Sequence, residues 1–361
     1  MIQLLTQQKN CFKSYLGILV VVIDECYFYN ITHQKSTLIR LHIIWLGLAV
    51  VLQLNAQQPA QYSMFMNNMY TINPAYAGME GSLIATGVYR TQWEGMPGNP
   101  TSRQVNVHTP FYRWNGGLGL NVENDRAGVH SHSQISASYN YVSVLPGNLI
   151  ISSSLSLGLV QRTLDGTAIR TPGGIYGGGV IDHQDPRLPN TTETGFAPNV
   201  GAGVFAAYGP WEVGLSVHNM LNNTITVDSE FPGGYRFNRS FFLHAQYQYV
   251  IDSDWAVSPC VLLKTDLAQT QIDFGGQFVF QNQFSGGLAV RGYNNTSFDA
   301  VVFIGGVRLN DNFYLNYAYD ATISRLRNAS GGSHEIMLIY NLGRALGVGI
   351  PQKIIYNPRL L

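Results

Sequence analysis

Charged side chains are scarce in this chain, and neither sign of charge is in excess. Lys and Arg together number 21, Asp and Glu together number 21, and charged residues make up 12% of the 361 residues. A soluble globular domain carries about 25% charged residues. Because basic and acidic residues are equal in number, the composition does not indicate the excess of basic residues that is typical of nucleic-acid binding, and no nucleic-acid partner is predicted.

Cysteine and long apolar helices are also lacking. The cysteines are Cys11, Cys26 and Cys260. The first two lie in a predicted leader, so Cys260 has no partner for an internal disulfide after cleavage. The apolar run at residues 41–52 is shorter than the about 20 residues that a transmembrane helix needs.

That run has the layout of a secretory signal peptide. It follows Lys35 and Arg40, and it ends just before Ala56. A basic region, an apolar region and a small residue at the cut predict cleavage after Ala56, with residues 1–56 as the leader. The preceding stretch is unusually long, so a translation start near Leu38 is an alternative, and residues 1–36 would then lie upstream of the true start. An exported chain of this composition favours the bacterial outer membrane.

What the chain does have is a series of short runs in which apolar and polar residues alternate. In the run 134–141, the odd positions are Ile, Ala, Tyr and Tyr, and the even positions are Gln, Ser, Ser and Asn. Side chains alternate across a strand, so each run has one apolar and one polar face. Because the polar faces carry Ser, Asn, Gln and Gly rather than charges, they favour the lumen of a transmembrane barrel.

About fourteen such runs lie between residues 81 and 344. Phe242, Met337 and Ile339 break the alternation. The long connections 163–195, 222–238 and 324–332 all follow odd-numbered strands, so they are predicted at one end of the barrel, assigned to the cell exterior. The predicted fold is an all-β, transmembrane antiparallel β-barrel of about 14 strands at 81–344. A periplasmic or plug-like segment at 57–80 precedes it, and a C-terminal periplasmic tail at 345–361 follows it.

A few charged residues fall within the predicted strands or beside them. A charge at membrane depth is costly unless it faces a lumen and is paired there. The residues predicted as lumen charges are Arg90, Glu123, Asp266, Arg291, Asp299, Asp320 and Glu335. They are interpreted either as an internal salt-bridge network that stiffens the barrel or as groups that hold a plug or a partner segment.

The segment 57–80 is rich in Met, Asn and aromatic residues and has no strand pattern. It is predicted to pack inside the barrel or across its periplasmic mouth, with a disordered periplasmic tail as the alternative. The residues proposed to form the plug or bind a partner are Tyr62, Phe65, Met66, Asn73, Pro74 and Tyr76.

No combination of residues predicts catalysis, a cofactor or a metal site. Ser333, His334 and Glu335 are adjacent on a predicted strand and therefore cannot converge on one face. His130 and His132 have no carboxylate or cysteine at a spacing that would complete a metal site. The protein is therefore predicted not to be an enzyme.

Several strings of residues go beyond the barrel pattern. The most distinctive are residues 73–78, Asn-Pro-Ala-Tyr-Ala-Gly, and residues 333–338, Ser-His-Glu-Ile-Met-Leu. Others are Tyr-Arg-Thr-Gln-Trp at 89–93 and Tyr-Ala-Tyr-Asp at 317–320. Together and in this order, they resemble the PorP/SprF family of type IX secretion system outer-membrane proteins from Bacteroidota. The resemblance covers about residues 57–343, and the long N-terminal extension departs from it.

The resemblance implies a barrel that works with the type IX export and gliding machinery. Its implied partners are outer-membrane lipid, machinery subunits, and a secreted adhesin or other cargo that it helps to secrete or to attach to the cell surface. The alternative that the residues leave open is a passive porin or a transport barrel for hydrophobic solutes.

Overall fold

The computed structural model of the protein describes residues 60–226, 234–293 and 297–344. The predicted leader at 1–56, its cleavage point and the predicted tail at 345–361 lie outside the described residues. Among the described residues, no helix combines the length and the apolarity needed to cross a bilayer.

Long antiparallel strands make up most of the described chain. The barrel strands are β1 (Ile84–Thr91), β2 (Thr101–Phe111), β3 (Gly116–Ala127), β4 (His130–Leu145), β5 (Leu149–Asp165), β6 (Thr192–Tyr208), β7 (Trp211–His218), β8 (Ser240–Tyr247), β9 (Trp255–Thr265), β10 (Thr270–Phe280), β11 (Phe284–Tyr293), β12 (Ser297–Arg308), β13 (Phe313–Thr322) and β14 (Ser333–Asn341). Each strand pairs with its neighbours in sequence, and β8 continues beyond an irregularity as Tyr249–Val250 on β9.

The sheet closes on itself because β1 pairs with β14. Ile84 lies opposite Asn341, and Thr91 lies opposite His334. Closure gives every strand two partners and leaves no open edge, as a lipid-exposed sheet requires. The prediction of a closed antiparallel barrel with 14 strands is confirmed.

The remaining described chain consists of loops and turns that contain short helices and hairpins. Before β1 lie a 3-10 turn, a one-turn helix α1 and a second 3-10 turn, at Phe65–Asn67, Met69–Ile72 and Pro74–Tyr76. Further 3-10 turns lie at Tyr112–Trp114, Gly166–Ala168 and Arg325–Asn328. Two small hairpins lie in the longest connections, at Ile175–Gly177 with Val180–Asp182 and at Thr224–Thr226 with Gly234–Arg236.

The two ends of the barrel differ in their connections. The connections after β5, β7 and β13 are long and lie at one end, which we call the long-loop end. The connections after even-numbered strands are tight and lie at the opposite end, which we call the short-turn end. The start of β1 and the end of β14 also lie at the short-turn end. The predicted grouping of the long connections at one end therefore follows from the observed strand order.

Alternation along the strands separates an apolar outer wall from a more polar inner wall. On β5, Leu155, Leu157 and Leu159 point outward and are more than half exposed, whereas Ser152 points inward and is buried. On β4, Ile135 is likewise exposed on the outer wall, opposite Leu159. The outer wall therefore has the apolar surface that lipid contact requires.

Aromatic side chains concentrate at the short-turn end of the outer wall. Trp211 lies 4.7 Å from Tyr247 and Trp255 lies 4.5 Å from Phe280, measured between ring centroids. Phe313 and Tyr340 form a similar pair at 5.0 Å. Amphipathic aromatic rings favour the interface between lipid and water, so these pairs mark one membrane boundary.

Candidate functional site

The N-terminal segment, residues 60–79, follows the inner wall from one end of the barrel to the other. At the long-loop end, the Lys264 Nζ atom donates to the Ala60 carbonyl oxygen at 3.4 Å. At the short-turn end, the Gly78 N–H donates to His108 Nδ1 at 3.2 Å. Inward-facing groups on opposite sides of the barrel bind the residues between them.

The first anchor of this segment is Ser63, near the long-loop end. Its hydroxyl donates to the Asp320 carboxylate at 2.7 Å. Its backbone N–H donates to Glu335 Oε2 at 2.7 Å, and the Met64 N–H donates to Glu335 Oε1 at 3.1 Å. The hydroxyl oxygen also accepts from Arg90 Nη1 at 2.8 Å. Both carboxylates therefore bind the segment directly, and we call this arrangement the loop-side anchor.

Five buried charged side chains surround Ser63 and form what we call the ionic cluster: Arg90, Asp273, Arg291, Asp320 and Glu335. Arg90 lies 2.7 Å from Asp320 and 3.1 Å from Glu335. Arg291 lies 2.9 Å from Asp320 and 3.4 Å from Asp273. Buried ions are tolerated only when such pairing and hydrogen bonding replace their lost hydration.

Strand pairing explains why these residues meet although they are far apart in sequence. Arg90 on β1 lies directly opposite Glu335 on β14. Asp273 on β10 lies directly opposite Arg291 on β11. Oppositely charged residues in directly opposed positions attract each other across a sheet. The pair Arg90–Glu335 forms at the seam where the barrel closes, so the loop-side anchor depends on closure.

The second anchor is the Asn-Pro-Ala-Tyr-Ala-Gly string near the short-turn end, which we call the turn-side anchor. Asn73 is fully buried; its Oδ1 accepts from the Ala75 N–H at 3.0 Å, and its Nδ2 donates to the Val204 carbonyl at 2.9 Å. Asn73 thus caps the 3-10 turn that Pro74 begins, and it also ties that turn to β6. The Ala75 carbonyl accepts from Asn140 Nδ2 at 2.9 Å and from Ser152 Oγ at 2.7 Å.

Close approach of two backbones adds to the turn-side anchor. A Cβ atom on Gly117 of β3 would lie 2.1 Å from the Ala77 carbonyl oxygen. Gly78 has φ of +72°, and a Cβ atom there would lie 2.6 Å from the backbone of Pro110. Only glycine permits both the left-handed conformation and the contact at position 78.

Apolar packing connects the two anchors. Met64, Phe65 and Met66 are buried in one cluster with Met337 and Ile339 of β14. Phe242 of β8 belongs to the same cluster. The three residues that break the alternation in the sequence therefore face inward, where they meet the N-terminal segment rather than water.

A cavity of about 140 Å³ lies between the N-terminal segment and the wall, toward the long-loop end. Its lining includes Tyr62, Phe242 and Lys264. Ser240 and Gln271 also line it. Ser240 Oγ and Gln271 Oε1 are themselves buried and have no hydrogen-bond partner among the described residues. Polar groups without a partner therefore lie in residues of the cavity wall, beside aromatic side chains.

The residues predicted as a plug or partner site lie in different surroundings. Phe65 and Met66 belong to the apolar cluster, and Tyr62 packs against it and lines the cavity. Asn73 and Pro74 form the turn-side anchor, together with Tyr76, whose ring packs edge-on against Phe205 at 5.2 Å.

The structure brings together four of the seven predicted lumen charges: Arg90, Arg291, Asp320 and Glu335. Glu123 lies apart from them in the cavity lining. Asp299 lies at an irregularity of β12, and its carbonyl accepts from the Ile323 N–H at 2.8 Å. Asp266 lies in the turn after β9, where its carboxylate accepts from the Gln269 N–H at 2.7 Å. The Asp266 carboxylate therefore stabilises its own turn.

Sequence reasoning missed Ser63, Lys264 and Asp273. Asp273 stands between Ile272 and Phe274, whose exposed side chains place it on the inner wall, so alternation contained a usable signal. Lys264 follows the same rule on β9. Ser63 had no such signal, because its partner Asp320 is 257 residues away.

The motifs that suggest other chemistry separate in the structure. His334 points outward and binds Tyr317 and Glu94, at 2.7 and 2.9 Å, while Glu335 points inward. His132 lines the cavity. Within residues 60–226, 234–293 and 297–344, no three His, Cys, Asp or Glu side chains group as metal ligands.

An apolar outer wall, an aromatic girdle and a closed antiparallel sheet define this protein as a membrane β-barrel, here with its own N-terminal segment bonded along the inner wall. The chain belongs to the PorP/SprF family, since residues 54–340 match the family model described as type IX secretion system membrane protein PorP/SprF. The family and the barrel fold are consistent with a location in the outer membrane. This family and fold are those of a membrane barrel for secretion and do not correspond to an enzyme class.

The chain is also similar in fold to solved outer-membrane barrels. KdgM porin shares 10% identity at a TM-score of 0.34, covering 71% of this chain and 98% of that porin. The toluene transporter TodX of Pseudomonas putida shares 11% identity at a TM-score of 0.42, covering 76% and 92%. A mutant of the Rh. blastica porin shares 10% identity at a TM-score of 0.32, covering 72% and 99%. None of the curated proteins matches this chain.

Proposed function

We propose that this protein assists the secretion or surface attachment of a partner protein, such as an adhesin, by binding it at the long-loop end. The N-terminal segment closes the lumen in this proposal. The long loops face the cell exterior, and the signal peptide is removed after Ala56. Membership of the type IX secretion family supports the link to secretion.

The observation that carries the proposal is the attachment of the N-terminal segment at two points. Ser63 is bound by the ionic cluster, and Asn73 is bound to β6 and caps its own turn. A solute crossing the barrel would have to pass this segment, in which Met64, Phe65 and Met66 are buried against the wall. This arrangement favours a binding role over passive transport.

The cavity provides the proposed binding site for an extended segment of the partner. A peptide backbone carries both donors and acceptors, which would pair with Ser240 Oγ and Gln271 Oε1 once these two side chains rotate toward the cavity. Leaving such buried groups unpaired costs about 1–3 kcal/mol each, so a ligand that satisfies them gains affinity. Phe242, beside them, would cover apolar parts of the segment.

Surface proteomics of the producing cell tests the proposed function. Deleting the gene should remove a secreted partner from the cell surface, and the tagged barrel should copurify with that partner. An unaltered surface proteome, together with uptake of small solutes by liposomes that contain the protein, would instead support the passive transport alternative.

Substitutions in the cavity test the binding site. Replacing Ser240 and Gln271 with leucine removes both polar groups and fills the cavity, so recovery of the copurified partner should fall. Leu243→Met on the same strand β8 changes the outer wall and serves as the matched control. Equal recovery from both variants would contradict the binding site while leaving the secretion role open.

Ion conductance tests the closing role of the segment. Removing residues 59–72 should raise single-channel conductance in planar bilayers, because it removes the loop-side anchor and the apolar residues beside it. Unchanged conductance in a correctly folded deletion variant would contradict the closing role.

A further inference from the structure

Two arginines stand next to each other on the outer wall, at the long-loop end. Arg103 of β2 lies opposite Asn124, and Arg126 of β3 lies opposite Thr101, so the two arginines are diagonal neighbours on the same face. Both side chains are exposed. Diagonal neighbours in a sheet are about 7–8 Å apart, close enough for two long side chains to bind one ligand.

No carboxylate of the described residues pairs with either arginine. Arg103 lies over the ring of Tyr89, with its guanidinium carbon 6.0 Å from the ring centroid. Glu94, in the connection after β1, pairs with His334 at 2.9 Å. Two neighbouring guanidinium groups repel each other, so an anion between them would lower the energy of this surface.

The wall directly below the arginines is apolar. Val105 lies opposite Val122 one step closer to the short-turn end, and these side chains are 57% and 42% exposed. A cation on a lipid-facing wall is costly at the bilayer centre and nearly free at the interface. The arginines therefore lie at the depth of lipid headgroups, with Val105 and Val122 at the depth of the acyl chains.

We infer that Arg103 and Arg126 bind the phosphate of a membrane lipid in the leaflet at the long-loop end. Guanidinium groups form paired, charge-assisted hydrogen bonds with phosphate oxygens. The apolar wall below favours a phosphate that carries acyl chains over a free phosphate ion. The site is independent of the lumen and of the proposed partner-binding role.

Native mass spectrometry of the purified full-length protein tests this site, with lipid A carrying two phosphates as the probe. The double variant Arg103→Gln/Arg126→Gln should retain the probe about tenfold less well than the unmodified protein, as expected for a loss of about 1.4 kcal/mol. Arg113→Gln is the matched control, because Arg113 is an exposed arginine at the short-turn end. Its retention of the probe should not change.

Two further measurements distinguish the phosphate of a lipid from a free phosphate ion. Lipid A without its phosphates should bind all variants equally weakly, and inorganic phosphate should not displace the phosphorylated probe. If the double variant folds poorly, as judged by its heat-dependent mobility on gels, the single variant Arg103→Gln should show an intermediate loss. Equal retention by folded variants, equal binding of the dephosphorylated probe, or displacement by inorganic phosphate would overturn the inference.

Discussion

The loop-side and turn-side anchors bind the same short segment by different physical means. The loop-side anchor uses charge: Ser63 meets two carboxylates, and two arginines balance those carboxylates. The turn-side anchor uses neutral hydrogen bonds and close backbone contact around Asn73 and Gly78. Removing one charge from an ionic anchor leaves its partner charges buried and unpaired, so the loss of stability is large. Removing one group from a neutral anchor costs only the hydrogen bond or contact that this group made.

The difference suggests a division of roles. Ser63 depends on strands β1, β11, β13 and β14, so its environment forms only when the ends of the barrel meet. The turn-side anchor adjoins the start of β1 and contacts strands β2 to β6, so its partners are consecutive along the chain. We therefore expect the loop-side anchor to be the more sensitive of the two to substitution.

Asp320→Asn should produce the largest effect. Asp320 contacts Ser63, Arg90 and Arg291, and removing one member of a buried ion cluster costs about 3–5 kcal/mol. Urea unfolding in detergent micelles would measure the loss. Asp311→Asn is the control, since that carboxylate is 98% exposed and should contribute nothing measurable. Equal stability of the two variants would show that the ionic cluster does not stabilise the barrel.

Gly117→Ala should produce the next largest effect, at the other anchor. The new methyl group would collide with the Ala77 carbonyl, and overpacking of this kind costs about 3 kcal/mol. Hydrogen exchange at residues 73–78 should accelerate while exchange at the loop-side anchor changes little. Gly305→Ala meets nothing within 4 Å and is the control. A uniform change along the segment would mean that the anchors do not act separately.

Asn73→Ala should lower the free energy of unfolding by about 2 kcal/mol, because it removes a cap and a buried hydrogen bond. Asn73→Ser keeps a side-chain acceptor for the Ala75 N–H and should recover part of the loss. Chemical denaturation of both variants distinguishes the two bonds. No difference between alanine and serine would assign the whole effect to the contact with Val204.

Ser63→Ala should produce the smallest effect, about 1.5 kcal/mol, because its hydroxyl bonds to charged groups are lost while the backbone bonds to Glu335 remain. Ser153→Ala, at an exposed position on β5, provides the comparison. Protease susceptibility of the segment is the sensitive measurement here. A loss as large as that of Asp320→Asn would show that the hydroxyl, rather than the charge balance, holds the ionic cluster together.

Much of the architecture was predictable because a strand imposes a two-residue period on its sequence. Leu155, Leu157 and Leu159 alternate with serine and glycine, and this pattern alone placed them on the outer wall. The family resemblance was also accessible, and the family model confirms it. Its strings at residues 73–78, 89–93, 317–320 and 333–338 supply residues of the two anchors.

The partners of individual lumen residues could not be predicted from the sequence. Arg90, Asp320 and Glu335 were recognised as charges that need partners, but alternation cannot say which charges pair. Asp266 was predicted to face the lumen, but it lies in a turn, where its carboxylate accepts from the backbone N–H groups of Ala268 and Gln269. Met337 and Ile339 looked like defects in a strand, and they became intelligible only with the N-terminal segment against them.

Local periodicity was enough to specify strands, the two faces of the wall and the end of the barrel where the long connections lie, because these depend on neighbouring residues. The two anchors depend on contacts between residues that are hundreds of positions apart, such as Ser63 with Asp320 and Glu335. Such contacts arise when the first and last strands pair and enclose the segment. Closure of the barrel, which no local pattern encodes, therefore decides where the charges lie and what they bind.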